Sequence, residues 1–187
     1  MNKFIDTLFH LRFMDLKAAI LKEHSKTQAI FIRDYIGNSQ DLFDELMTHF
    51  FSNEYRVTQR AAWIMTHCVE KRPHLIQPHL EKMVNNLKVE KIHVAVKRNT
   101  VRLLQNVAIP EDLMGTVANC CFDFLANPNE AVAVRIFSMS ILYDLCKQEP
   151  DLADELRIII EEFMPHGTAG FRSRGKKTLK GLNELIK

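Results

Sequence analysis

The sequence predicts an all-α protein in which about five antiparallel helix pairs stack as an α-α superhelix, or solenoid. Three observations carry that prediction. A short pattern recurs, an apolar residue followed three positions later by a base: Val57…Arg60, Val94…Lys97, Val132…Arg135 and Phe171…Arg174, with the bases 37, 38 and 39 residues apart. Prolines recur at an offset from it: Pro73 and Pro110 lie 13 residues after Arg60 and Lys97, and Pro150 lies 15 after Arg135. An acid precedes each of the first three bases, as Glu54, Glu90 and Glu130, whereas the last unit has Thr168 nearby and no acid. A unit of this length cannot bury its own apolar face, but a stack of such units can.

The elements follow in order. Residues 1–13 begin the first helix or form an added helical extension. Helical periodicity places helices at about 14–24, 26–36, 40–51, 54–71, 75–87, 90–107, 111–126, 129–147, 150–164 and 168–186. In the third, Leu42, Phe43, Leu46, Met47 and Phe50 recur at three- and four-residue steps, and in the fourth Ala61, Ile64, Met65 and Cys68 do the same. Gly37 and Ser39 offer a C-cap followed by an N-cap. Pro73, Pro110 and Pro150 each mark a joint, since proline is tolerated at a helix start and not inside. Asn127-Pro128-Asn129 reads as a turn, and Gly167-Thr168 as another stop and start. Phe137, Ile141, Leu142 and Leu145 are core.

Composition agrees. Apolar residues make up 47% and charged residues 26% of the 187, and six Gly with six Pro are too few for a β-sandwich or barrel. The net charge of +2 hides a segregation: residues 151–162 carry five acids and one Arg, and residues 172–187 carry six bases and one acid. Cys68, Cys120, Cys121 and Cys146 each sit in an apolar helical pattern, which suits reduced, buried thiols. Asp6, His10 and Arg12 break any leader-like apolar run, and no stretch approaches the ~18 apolar residues of a membrane span. The expectation is a cytoplasmic protein with no membrane partner.

At YRVTQRAAW, HVAVKRNTVRLL and EAVAVRIFSMSIL the chain resembles the HEAT/armadillo-type helical repeats. The resemblance covers roughly residues 40–187, with a degenerate pair in 14–37, and departs from the family in its last unit and in having a first-helix proline only at Pro78. It implies one repeat domain over 1–187 whose second helices line a concave face where a partner binds. The function implied is a non-enzymatic binding or scaffold module for a protein partner. The alternatives are a nucleic-acid-binding protein and, on the analogy of HEAT-like alkylpurine DNA glycosylases, a repair enzyme. The last is weakened by a lone tryptophan, Trp63, followed one turn later by His67 and not by an aspartate.

The expected binding residues are a basic row with one aromatic: Arg56, Arg60, Trp63, Lys97, Arg98, Arg102, Arg135, Arg172, Arg174 and Lys177, beside Lys176. A cation near a helix N-terminus opposes the helix dipole and wants a partner. For Arg60, Lys97 and Arg135 the favoured partner is internal, a ladder of ion pairs to Glu54, Glu90, Glu130 and neighbouring acids. The remaining bases have fewer local acids and suit an external anion, an acidic protein segment or a nucleic-acid backbone. No catalytic residue, metal ligand set or cofactor motif is assigned. His67, His74 and His79 are spaced seven and five apart, and GKKT at 175–178 lacks the upstream glycine and strand of a phosphate loop.

Overall fold

The computed structural model describes residues 14–52 and 54–185. The expected extension at 1–13 lies outside them. Ten α-helices form among the described residues: α1 (Leu16–Lys22), α2 (Lys26–Ile36), α3 (Gln40–Phe50), α4 (Tyr55–Lys71), α5 (Leu80–Asn86), α6 (Val94–Leu104), α7 (Glu111–Ala126), α8 (Val132–Cys146), α9 (Ala153–Phe163) and α10 (Ala169–Leu185). Two short 3₁₀ segments, Pro73–His79 and Pro150–Leu152, precede α5 and α9. The described chain divides after Leu75 into two compact units.

In the first unit α4 is the hub. It packs against α1, α2 and α3, while α1 also touches α2 and α3. In the second unit the solenoid pattern is plain. The second helices pack in series, α6 on α8 and α8 on α10, and the first helices do likewise, α5 on α7 and α7 on α9. Within pairs, α7 lies on α8 and α9 on α10.

The caps explain the helix starts. Asp15, Ser25 and Ser39 each accept a hydrogen bond from a backbone N–H three residues on, at Ala18, Gln28 and Leu42. Gly37 ends α2 at φ +55°, a left-handed conformation that disfavours any side chain, and its N–H returns to the Arg33 carbonyl. All three joint prolines stand at or just before a first helix. Two expectations change. The helix expected at 75–87 opens as a 3₁₀ segment because Pro78 has no N–H to give an α-helical ladder. The helix expected from 90 starts only at Val94, leaving Glu90 in a loop, and the His93 ring caps Ala95 at 3.1 Å.

Burial corrects the repeat register. Counted from their own starts, α4, α6, α8 and α10 share one layout. The third residue is apolar and buried in each: Val57, Val96, Val134 and Phe171. The fourth is Thr58, Lys97, Arg135 and Arg172. The seventh is small and buried throughout, as Ala61, Thr100, Ser138 and Gly175, which lets neighbouring helices approach. The pattern Val57…Arg60, Val94…Lys97, Val132…Arg135, Phe171…Arg174 therefore mixes two registers. Val94 and Val132 are first residues of their helices and are exposed. Arg60 and Arg174 are sixth residues, not equivalents of Lys97 and Arg135.

Candidate functional site

Three of the expected binding bases act inside the fold. Arg60 reaches back to the end of α1, where its Nη1 donates to the carbonyls of Leu21 at 2.8 Å and Ile20 at 3.2 Å. These carbonyls lie in the last turn of a helix, where acceptors lack helical partners and the dipole is negative. Arg135 is only 8% exposed. Its Nε donates to the Leu125 carbonyl at the end of α7, 2.9 Å away, and its guanidinium lies 4.5 Å and 4.7 Å from the ring centres of Phe163 and Phe171. Burial depresses its pKa below the ordinary arginine value. Lys97 pairs at 2.7 Å with Glu130, a residue of the next repeat, and its ammonium lies 4.9 Å from the Phe124 ring centre.

The expected acid ladder is thus corrected. Lys97 takes an acid, but that acid precedes α8 instead of α6. Arg60 and Arg135 take helix-end carbonyls, and Glu54 pairs with Lys17 at 2.5 Å. Arg135, buried as it is, leaves the set of residues a partner could touch. A planar, multi-donor guanidinium can reach the carbonyls at the end of a neighbouring helix: Arg60 meets two of them, whereas Arg135 meets one and lies against two rings.

The other bases face solvent. Arg56 is the second residue of α4; Arg98 and Arg102 are the fifth and ninth of α6; Arg172, Lys176 and Lys177 lie on α10. All six are exposed, and Arg174 is half-buried. Arg172 donates to the Gly167 carbonyl at 2.6 Å. No carboxylate of the described residues pairs with Arg98, Arg102, Arg174, Lys176 or Lys177. In the first unit, half-buried Trp63 packs edge-on against His24 at 5.2 Å and lies 5.9 Å from His67. His67 Nδ1 is 3.2 Å from Glu70 Oε2. On the adjacent helix α2, Phe31 is 55% exposed.

The second unit holds a cleft of about 440 Å³ between α8 and α10, lined by Ser140, Tyr143 and Asp144 on one side and by Arg174, Lys177, Thr178, Lys180, Gly181 and Glu184 on the other. Two of the expected binding residues, Arg174 and Lys177, meet there. The reading of the sequence missed Lys180 and the α8 wall. The available signal was Gly181, a costly residue within a helix that marks a close approach. A Cβ at Gly181 would run into the Tyr143 hydroxyl and ring, so glycine lets that ring lie across α10 as it does.

The cysteines are all free and buried. Burial pushes the Cys68 and Cys121 thiols up to about 12 and Cys146 up to about 11, and it raises Cys120 as well. They stay protonated near neutrality and pack as small apolar groups. Among the described residues no group of three or more His, Cys, Asp or Glu could hold a metal ion. No helix among them is long and apolar enough to cross a membrane.

Comparison with known proteins gives one finding. No curated protein and no solved structure gives a significant match. The family model for the HEAT repeat domain matches residues 16–182, from the first residue of α1 to near the end of α10. The stacked helix pairs and this match lead to one conclusion: the chain belongs to the HEAT repeat domain family.

Proposed function

We propose that this chain is a non-enzymatic scaffold that binds a protein partner on the outward face of its second helices, and that residues 1–187 act as one repeat domain in doing so. HEAT repeats generally mediate protein–protein interaction. The observation that supports a defined surface here is the division of the bases into two groups. Arg60, Lys97 and Arg135 are engaged inside the fold. Arg98 and Arg102, one turn apart on α6, are exposed and have no carboxylate partner among the described residues. Exposed cations concentrated on one helix face attract an acidic partner surface and speed its encounter. Arg172 and Lys177 extend the same reading to α10 of the second unit, and in the first unit, taken by itself, α4 offers Arg56 with Trp63 as an aromatic contact.

The test is affinity capture with the wild-type chain and an Arg98→Glu/Arg102→Glu variant, with the bound species identified. A protein retained by the wild type and lost by the folded variant supports the reading. Equal retention would remove the α6 surface from it. Retention of nucleic acid in place of protein, eluting steeply with salt, would favour a phosphate-backbone partner.

A further inference from the structure

We infer that the cleft between α8 and α10 binds an extended acidic peptide, with at least two carboxylates on alternating residues laid along Arg174, Lys177 and Lys180. This rests on the reading of the chain as a protein-binding module and names the chemistry one part of it recognises.

The three cations are the sixth, ninth and twelfth residues of α10 and line one cleft. Residues three apart on a helix are surface neighbours, so like charges there repel. Among the described residues no carboxylate pairs with any of the three. The cleft has two acids. Asp144 is held by Lys147, which lies outside the lining. Glu184 stands at the far end, a turn beyond Lys180, and pairs with none of them. Arg174 is half-buried and has no carboxylate partner among the described residues. The opposite wall supplies no cancelling charge besides Asp144. The Ser140 hydroxyl is turned to the Ile136 carbonyl at 3.0 Å, and Tyr143 presents its ring, with the Lys147 ammonium 4.6 Å from the ring centre.

Spacing favours a peptide over a single small anion. Six residues of helix rise about 9 Å, so the cations are strung along the cleft and do not converge on one point. Alternate side chains of an extended chain repeat every ~6.8 Å, within reach of long lysine and arginine side chains along that span. A planar guanidinium at one end holds a carboxylate through two parallel hydrogen bonds, while the flexible lysines accommodate the next.

The experiment is fluorescence anisotropy with the full chain and a labelled peptide of alternating Glu and Ser. Lys177 and Lys180 are exposed, so the Lys177→Glu/Lys180→Glu variant keeps its far-UV spectrum. It is expected to weaken binding at least ten-fold, and Arg174→Gln several-fold. Arg98→Glu/Arg102→Glu is expected to change it less than two-fold, and added salt to weaken it steadily. The inference is overturned by no binding to the wild type, or by unchanged affinity in the folded Lys177/Lys180 variant. An equal loss on reversing Arg98 and Arg102 overturns it too, as does displacement of the peptide by inorganic phosphate at matched charge, or tighter binding of an oligonucleotide of equal charge. Partner capture unchanged in the Arg98→Glu/Arg102→Glu variant, with peptide binding intact, counts against the α6 surface alone. Partner capture that survives loss of peptide binding counts against the cleft alone.

Discussion

The ninth residue of the second helix is Trp63 in the unit that ends at Leu75, and Arg102, Ser140 and Lys177 in the unit that follows. The fourth residue is Thr58 in the first unit and a base, Lys97, Arg135 or Arg172, in the second. The third and seventh positions do not diverge: they stay apolar and small in both. The two units therefore share the positions that pack and differ in the positions that a neighbour or a partner meets. The first carries an aromatic surface with Phe31 and Trp63, whereas the second carries unpaired cations and a cleft. Each also fastens a helix end with an arginine, but Arg60 is partly exposed and Arg135 is buried between two phenyl rings.

That contrast can be broken or sharpened by measurement. The largest effect is expected at Arg135. Arg135→Ala removes a charged hydrogen bond and two cation–ring contacts from a buried joint, and should cost about 3 kcal/mol in urea denaturation followed by circular dichroism. A cost near zero would mean that burial does not distinguish the two arginines.

The next effect is alkaline. A buried thiol whose folded pKa is raised keeps its proton when the unfolded chain has lost it, so its stabilisation holds below about pH 9 and fades as pH climbs towards 11 to 12. At pH 9.5 Cys68, Cys121 and Cys146, each with an ordinary value of 9.0, together should lower stability by about 2.5 kcal/mol relative to pH 7. Two of the three lie in the second unit, so replacing Cys121 and Cys146 with Ala should remove most of that extra pH dependence. Rapid labelling of the folded chain by a thiol reagent at pH 8 would contradict it.

The smallest effect is expected at Arg60. Arg60→Ala leaves two end-of-helix carbonyls to water at a partly exposed site, for a cost of about 1 kcal/mol. Trp63 is the single tryptophan and lies on the same helix, so its fluorescence follows this unit. A loss as large as that at Arg135 would erase the distinction between the units.

Much of the fold was legible in the chain. Gly37 and Ser39 marked helix ends because caps are local, made within three or four residues. The prolines marked joints for the same reason. The partners of the bases were not legible. Glu54 lies six residues before Arg60, yet it pairs with Lys17, 37 residues away, and Arg60 binds carbonyls about 40 residues back. Pairing at that range depends on which helices lie side by side. The α8–α10 cleft was half legible: Arg174 and Lys177 stood out as bases with few local acids, but Ser140 and Tyr143 come from a helix some 35 residues earlier.

By itself the sequence determined where most of the helices lie, the caps at Gly37 and Ser39 and the repeat of about 38 residues, because periodicity, capping and proline exclusion act over one or two turns. Tertiary structure alone decided the register and the use of each cation. It set Val96 and Val134 inward and Val94 and Val132 outward, buried Arg135, and left Arg98, Arg102, Lys177 and Lys180 facing water. Those outcomes follow from the stacking of helices distant in sequence, which decides the loss of hydration and the choice of counter-charge for every side chain at a joint.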